Sequence, residues 1–230
     1  MSNEEFDTGL IIAAVVHDVK NSLGMITNEI EQISANIDSS FPEESTQLYR
    51  LSLEASRINN GLVHMLGLYR SAHGTLRMQI DEAMVQDILE DVTVRFSTTL
   101  KRMGIDLIVE FDDPDLGWYL DSSLVEGILN NAITNAIRYT KSKLVLSAKV
   151  NGDRIEFMLV DDGAGYPEDV LSCLSEEGDI DFKNGSTGLG LHFSDRIARQ
   201  HRNGDNTGYI ELRNNSKDNG AIFKLVLPWI

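Results

Sequence analysis

His17, Asp18, Lys20 and Asn21 bring an imidazole, a carboxylate, an ammonium and a carboxamide together within little more than one helical turn. A neutral imidazole nitrogen is a nucleophile that needs no strong base, and a carboxylate such as Asp18 can orient the ring by accepting from its other nitrogen. Three further stretches in the second half of the chain are suited to chemistry. In Leu129-Asn130-Asn131-Ala132-Ile133-Thr134-Asn135-Ala136-Ile137-Arg138-Tyr139, Asn131 and Asn135 stand four apart on one helix face, with Arg138 one turn beyond. Neutral carboxamide oxygens suit a Mg2+ ion that keeps several waters while phosphates meet most of its charge, and arginine grips phosphate directly. Asp161 ends an apolar run before Asp162-Gly163-Ala164-Gly165. There a strand-end carboxylate can accept from an exocyclic amino group, and the glycines let a ligand approach the backbone. Gly185-Ser186-Thr187-Gly188-Leu189-Gly190-Leu191 opens a helix, with the free N–H groups and dipole end that phosphates prefer.

The elements that must position these groups are legible as periodicities. Ile12, Val16, Val19, Leu23, Ile26, Ile30, Ile33 and Ile37 form a heptad seam of about seven turns, and His17 lies off it on the face shared with Asn21. Breakers, a capping residue and acids follow at 38–45. Leu48, Leu51, Ala55, Ile58, Leu62, Met65 and Tyr69 then make a second seam. Residues 1–75 are therefore expected to form an antiparallel helical hairpin. A hairpin with one apolar seam per arm buries little alone, so two copies are expected to pair as a homodimeric four-helix bundle.

From Ser71-Ala72-His73-Gly74-Thr75 onward the pattern mixes periods. Strands are predicted at 76–80, 105–111, 117–120, 144–150, 154–160, 208–212 and 221–227. Helices are predicted at 82–103, from a Ser122 or Ser123 cap to about Tyr139, and at 189–201, with a hairpin turn at Asn151-Gly152-Asp153. Residues 76–230 thus read as an α/β sandwich with helices on one sheet face, which makes the whole chain α+β.

Composition excludes several classes. With 36 acidic against 20 basic residues the net charge is -16, which repels nucleic acid and anionic membrane surfaces. The single cysteine, Cys173, rules out an intramolecular disulfide or a cysteine-cluster metal site. No apolar run approaches a membrane span, and Glu4 and Glu5 stand where a signal peptide carries positive charge, so a cytoplasmic protein is expected.

Taken in order, these stretches resemble the transmitter region of sensor histidine kinases of two-component signalling along essentially the whole chain. His17 to Asn21 is similar to the family's H box, Asn131 to Tyr139 to its N box, Asp161 to Gly165 to its G1 box and Thr187 to Leu191 to its G2 box. The resemblance implies a HisKA-like dimerisation and phosphotransfer hairpin followed by a Bergerat (GHKL) ATP-binding domain. It implies His17 as the phosphoacceptor, Asn135 as the main Mg2+ ligand with Asn131 assisting, and Arg138 and Tyr139 as nucleotide contacts. Asp161 would be the adenine-binding carboxylate, and Gly163, Gly165, Thr187, Gly188, Leu189 and Gly190 would shape the pocket and its phosphate edge.

The implied chemistry is phosphoryl transfer from ATP to His17 and on to an aspartate of a response-regulator receiver domain. The Asp-x-x-Asn spacing of Asp18 and Asn21 resembles the family's phosphatase motif, which adds dephosphorylation of the receiver. Two alternatives are a phosphotransfer or phosphatase hub with a degenerate ATP domain and a non-enzymatic receiver-binding dimeric scaffold. The chain departs from the family at Ser22, where many members have proline, at Ser186, which replaces a glycine, and in a short lid over 166–184 that keeps only Phe182 of the phenylalanine box. Without a sensory region, input is expected from a separate sensor or regulator protein.

Overall fold

The computed structural model describes residues 8–36, 42–172, 189–215 and 220–230. The chain divides into two compact units, Met1–Leu76 and Arg77–Ile230. In the first, α1 (Thr8–Asn36) and α2 (Pro42–Ala72) pack along one another. Pro42 opens α2, where a missing N–H costs nothing. Each apolar seam splits into two rows. On α1, Val16 is buried and Leu23 and Ile30 are half-buried, whereas Val19, Ile26 and Ile33 stay exposed. On α2, Ala55 is buried and Leu48, Leu62 and Tyr69 are half-buried, whereas Leu51, Ile58 and Met65 stay exposed. One heptad position of each helix is spent on the other helix, and the second is left open. Helix α1 continues through Ser22, whose hydroxyl donates to Asp18 O at 3.0 Å.

The second unit runs β1 (Asp81–Met84), α3 (Val85–Met103), β2 (Asp106–Phe111), β3 (Gly117–Leu120), α4 (Ser122–Ile137), β4 (Lys143–Asn151) and β5 (Arg154–Asp161). It continues with α5 (Glu168–Ser172), α6 (Leu189–Gln200), β6 (Arg202–Asn203), β7 (Asn206–Thr207), β8 (Tyr209–Asn214) and β9 (Ala221–Pro228). Five strands make the main sheet in the order β2-β4-β5-β9-β8, parallel between β2 and β4 and antiparallel elsewhere. Alternation decides which face is covered. Leu146, Leu159, Phe223 and Leu212 align across four strands and are all buried, as are Val92 of α3, Ile128 and Ile133 of α4 and Ile197 of α6, and these three helices lie against the sheet.

That parity also places the carboxylate of interest. Phe157, Leu159 and Asp161 are successive inward positions of β5, so Asp161 is the last residue of the buried row. Period two thus turns it toward the helices rather than to solvent.

The first strand of this unit is not at 76–80 but at Asp81–Met84, and α3 starts at Val85 rather than at Glu82. The cause is β3, which pairs Asp81 with Leu120 through to Met84 with Gly117 and draws those residues into a ladder. Helix α4 is capped by Asp121, not by Ser122 or Ser123. The Asp121 carboxylate accepts from Leu124 N–H at 3.1 Å, Ser123 Oγ–H at 2.8 Å and Gln79 N–H at 2.8 Å. The Asp121 N–H donates to Nε2 of buried His201 at 3.1 Å, while His201 Nδ1 donates to Ile197 O at 3.0 Å. This network ties the start of α4 to the end of α6 through one neutral histidine tautomer.

Candidate functional site

On α1 the His17 side chain is 70% exposed, as the off-seam reading requires. Asp18 Oδ1 and Asn21 Nδ2 both stand 3.4 Å from the same ring nitrogen, Nδ1. One nitrogen cannot serve both. A proton on Nδ1 donates to Asp18 and leaves the Nε2 lone pair free, whereas an unprotonated Nδ1 accepts from Asn21 and places the proton on Nε2. The carboxylate and the carboxamide thus select opposite tautomers of one exposed imidazole.

In the second unit, β5 delivers Asp161 and Asp162 to different tasks. Asp161 Oδ1 accepts from Gly163 N–H at 2.7 Å and from Ala221 N–H at 3.1 Å, while Oδ2 takes no hydrogen bond among the described residues. A buried carboxylate held by one oxygen with the other open is ready to receive an amino group. Asp162 instead accepts from Thr140 Oγ–H, Ser142 Oγ–H and the N–H groups of Lys141 and Ser142, at 2.7 to 3.2 Å. Burial alone would raise its pKa, but these bonds from Ser142, Thr140 and Lys141 outweigh that and hold it well below the usual carboxylate range. Asp162 is thereby the tie between the loop after α4 and the end of β5.

Helix α4 brings the asparagines. Asn131 is buried, its Nδ2 3.5 Å from Ser194 Oγ, which donates to Gly190 O at 2.8 Å. A Cβ on Gly190 would stand 2.6 Å from Asn131 Oδ1, so α6 starts directly against this carboxamide. Asn135, one turn on, is half-buried, and its side chain makes no hydrogen bond among the described residues. Arg138 caps the helix and Tyr139 follows it, both exposed, with the guanidinium 5.7 Å from the Tyr139 ring centroid. A Cβ on Gly163 would lie 2.4 Å from Tyr139 O, which brings the end of the asparagine helix against the Asp161 turn.

The structure therefore gathers Asn131 with Gly190 and Asp161 with Gly163 and Tyr139. Leu189 and Gly190 open α6, and Thr187 and Gly188 lie outside the described residues, as do Phe182 and Ser186. Two neutral carboxamides on one α4 face are a donor set that fits Mg2+ shared with phosphates, and the open oxygen of Asp161 fits a nucleobase amino group. Two contributors carry no role in the sequence reading: Asp162 and Ala221. The Asn-Gly-Ala run at 219–221 is the available signal for Ala221, and Asp162 carries none that is local.

Residues 120–229 match the family model of histidine kinase-, DNA gyrase B- and HSP90-like ATPases. The chain is 28% identical over 198 residues to sensor protein KdpD of Mycobacterium tuberculosis, covering 82% of this chain and 22% of that protein. It is 27% identical over 165 residues to sensor histidine kinase CpxA of Escherichia coli, covering 69% of this chain and 36% of that protein. The chain thus spans well under half the length of these curated relatives. In structure it is similar to the nucleotide-free catalytic domain of histidine kinase ThkA, with a TM-score of 0.57, 25% identity, and 66% of this chain and 99% of that chain covered. It is also similar to full-length ShkA in complex with AMPPNP, with a TM-score of 0.66, 19% identity, and 96% of this chain and 46% of that chain covered. The second unit carries a histidine-kinase-type ATPase region of α+β GHKL fold. Among the described residues no helix is long and apolar enough to cross a membrane.

Proposed function

We propose that this chain is the kinase portion of a two-component system, phosphorylating His17 from ATP and passing the phosphoryl group to an aspartate of a response-regulator receiver domain. The observation that carries the reading is Asp161, buried at the end of β5 with Oδ1 tied to two backbone N–H groups and Oδ2 open, inside the region matched to histidine kinase ATPases. Asp161 accepts the adenine amino group, and Arg138 and Tyr139 contact the nucleotide from the end of α4. Gly163, Gly165, Thr187, Gly188, Leu189 and Gly190 shape the pocket and its phosphate edge. Asn135, with Asn131 assisting, would hold Mg2+, which would supply charge neutralisation on the phosphates.

At His17, Asp18 holds the Nδ1 proton and so keeps the Nε2 lone pair available. Nε2 attacks the γ-phosphorus, a P–N bond forms, the bond to the bridging oxygen breaks, and ADP leaves. The positive charge left on the ring is met by Asp18. In the second step the receiver's carboxylate takes the phosphoryl group and His17 returns to a neutral imidazole. Asn21 supports the reverse traffic, holding a water beside the receiver's acyl phosphate with a group that is not itself nucleophilic.

The open rows of Val19, Ile26 and Ile33 on α1 and of Leu51, Ile58 and Met65 on α2 support a homodimeric four-helix bundle, because a second copy offers the matching rows. The test is incubation with γ-labelled ATP and Mg2+. Acid-labile, base-stable label on the chain supports the kinase. A chain that takes no label from ATP but exchanges phosphate with a phosphorylated receiver would be the hub instead, and one that does neither would be a scaffold.

A further inference from the structure

Asp161 and Asp162 follow one another at the end of β5, and period two sends their side chains to opposite sides. Asp161 turns inward to the candidate base site, and Asp162 turns to the connection between α4 and β4. That connection has no buried side chain to anchor it, since every residue from Arg138 to Lys143 is exposed or half-buried. Asp162 supplies the hold. Its Oδ1 accepts from Thr140 Oγ–H at 2.7 Å and Lys141 N–H at 2.8 Å, and its Oδ2 accepts from Ser142 Oγ–H at 2.7 Å. Ser142 N–H is shared between the two oxygens at 3.1 and 3.2 Å. A carboxylate offers about four acceptor places, so these donors fill them and leave none for a ligand.

The next residue limits how far the connection can be drawn in. A Cβ on Gly163 would lie 2.4 Å from Tyr139 O and 2.9 Å from Tyr139 C, so the two backbones meet where any side chain would stand. The carboxylate of Asp162 is thus a tether on the residues after α4, and the backbone of Gly163 is the stop. Both adjoin Asp161 in sequence. Arg138 and Tyr139 therefore stand at a spacing from Asp161 that the two residues after it fix. A ligand that bridges Asp161 and the end of α4 depends on that spacing, whereas one that touches Asp161 alone does not.

Resting on the nucleotide-binding reading above, we propose that Asp162 is a positioning residue for the nucleotide. Without touching the ligand, it fixes the 138–142 connection so that Arg138 meets the phosphates of a nucleotide whose base lies on Asp161. The experiment is calorimetry on the full chain with ATP and Mg2+ and with adenosine, which has the base and no phosphate. Asp162→Ala is expected to weaken ATP binding by about tenfold, the scale of one lost hydrogen bond to a charged group, and to leave adenosine binding unchanged. Arg138→Ala should weaken ATP binding in the wild-type background and far less in Asp162→Ala, because a misplaced guanidinium has little left to lose. Asp162→Asn, which keeps an oxygen for Thr140 and Lys141, should recover part of the loss. Thr140→Val combined with Ser142→Ala removes both hydroxyl donors, keeps the carboxylate and should show the same pattern at smaller size, so it carries the test if Asp162→Ala does not fold. ATP binding that is unchanged, ATP and adenosine binding that weaken in step, or losses from Asp162→Ala and Arg138→Ala that simply add would each overturn the proposal. If Asp161→Asn still weakens ATP binding in that case, the nucleotide reading survives and only the role of Asp162 falls. A wild type that binds no ATP sinks both.

Discussion

Asp161 receives the backbone N–H of Ala221, 60 residues further on, at 3.1 Å. Together with Gly163 N–H this bond engages only Oδ1. Asp161→Asn keeps an oxygen for both N–H groups and removes the charge, so the fold should survive while base recognition suffers. The expected loss in ATP affinity is roughly 1–3 kcal/mol, or about 5- to 150-fold. Calorimetry decides it, and equal affinity in the variant would mean that Asp161 does not read the base.

Asn21 and Asp18 compete for the same nitrogen of His17. Removing one competitor should leave the tautomer that the other selects. Asn21→Ala is therefore expected to keep autophosphorylation near the wild-type rate while slowing loss of phosphate from a phosphorylated receiver well below it. A receiver-phosphate lifetime that neither wild type nor variant changes would remove the phosphatase role.

How far the sequence reveals this molecule depends on the range of the interaction concerned. The alternation in β5 ends on Asp161, so both the strand and its terminal carboxylate are readable within a few residues. The heptads of α1 and α2 are readable too, but sequence cannot tell which of the two apolar rows meets the neighbouring helix. Burial of Val16 and Ala55 against exposure of Ile26 and Ile58 settles that. Asp121, Ser122 and Ser123 are all competent caps, and only the contacts to Gln79 and His201 single out Asp121. The strand placed at 76–80 slips to Asp81–Met84 because its partner, β3, lies more than 30 residues away. The two hydrogen bonds between the Asn214 carboxamide and the Tyr166 backbone are illegible for the same reason, since they exist only once the sheet register is set.

The open rows predict the oligomeric state. Light scattering on the full chain at micromolar concentration should give a dimer. Ile26→Asp combined with Ile58→Asp should give a folded monomer, because both positions are exposed within one chain and a charge there costs nothing until two copies meet. A wild-type monomer, or a double variant that still dimerises, would count against the bundle.

His64 is buried on α2, and burial lowers its pKa from 6.5 to about 4. The unfolded chain then binds this proton more readily than the folded one, so the contribution is whole above pH 6.5 and is lost as pH falls toward 4. Its full size is about 3 kcal/mol. Buried His201, also lowered chiefly by burial, adds a dependence of the same sign. Urea titrations at pH 7 and pH 4.5 should therefore show a smaller drop in stability for His64→Phe than for wild type. Parallel losses in the two proteins would show that His64 does not titrate on unfolding.

On the proposed function, His17 takes the γ-phosphoryl group of ATP. The direct measurement compares wild type, His17→Ala and Asp161→Asn after incubation with γ-labelled ATP and Mg2+, with the label mapped to a peptide under alkaline conditions. Wild type should carry acid-labile, base-stable phosphate on the peptide containing His17. His17→Ala should carry none while binding ATP as wild type does, and Asp161→Asn should label more slowly at low ATP. Label that persists at the wild-type level in His17→Ala, or its absence from a wild type that demonstrably binds ATP, would mean that His17 is not the phosphoacceptor.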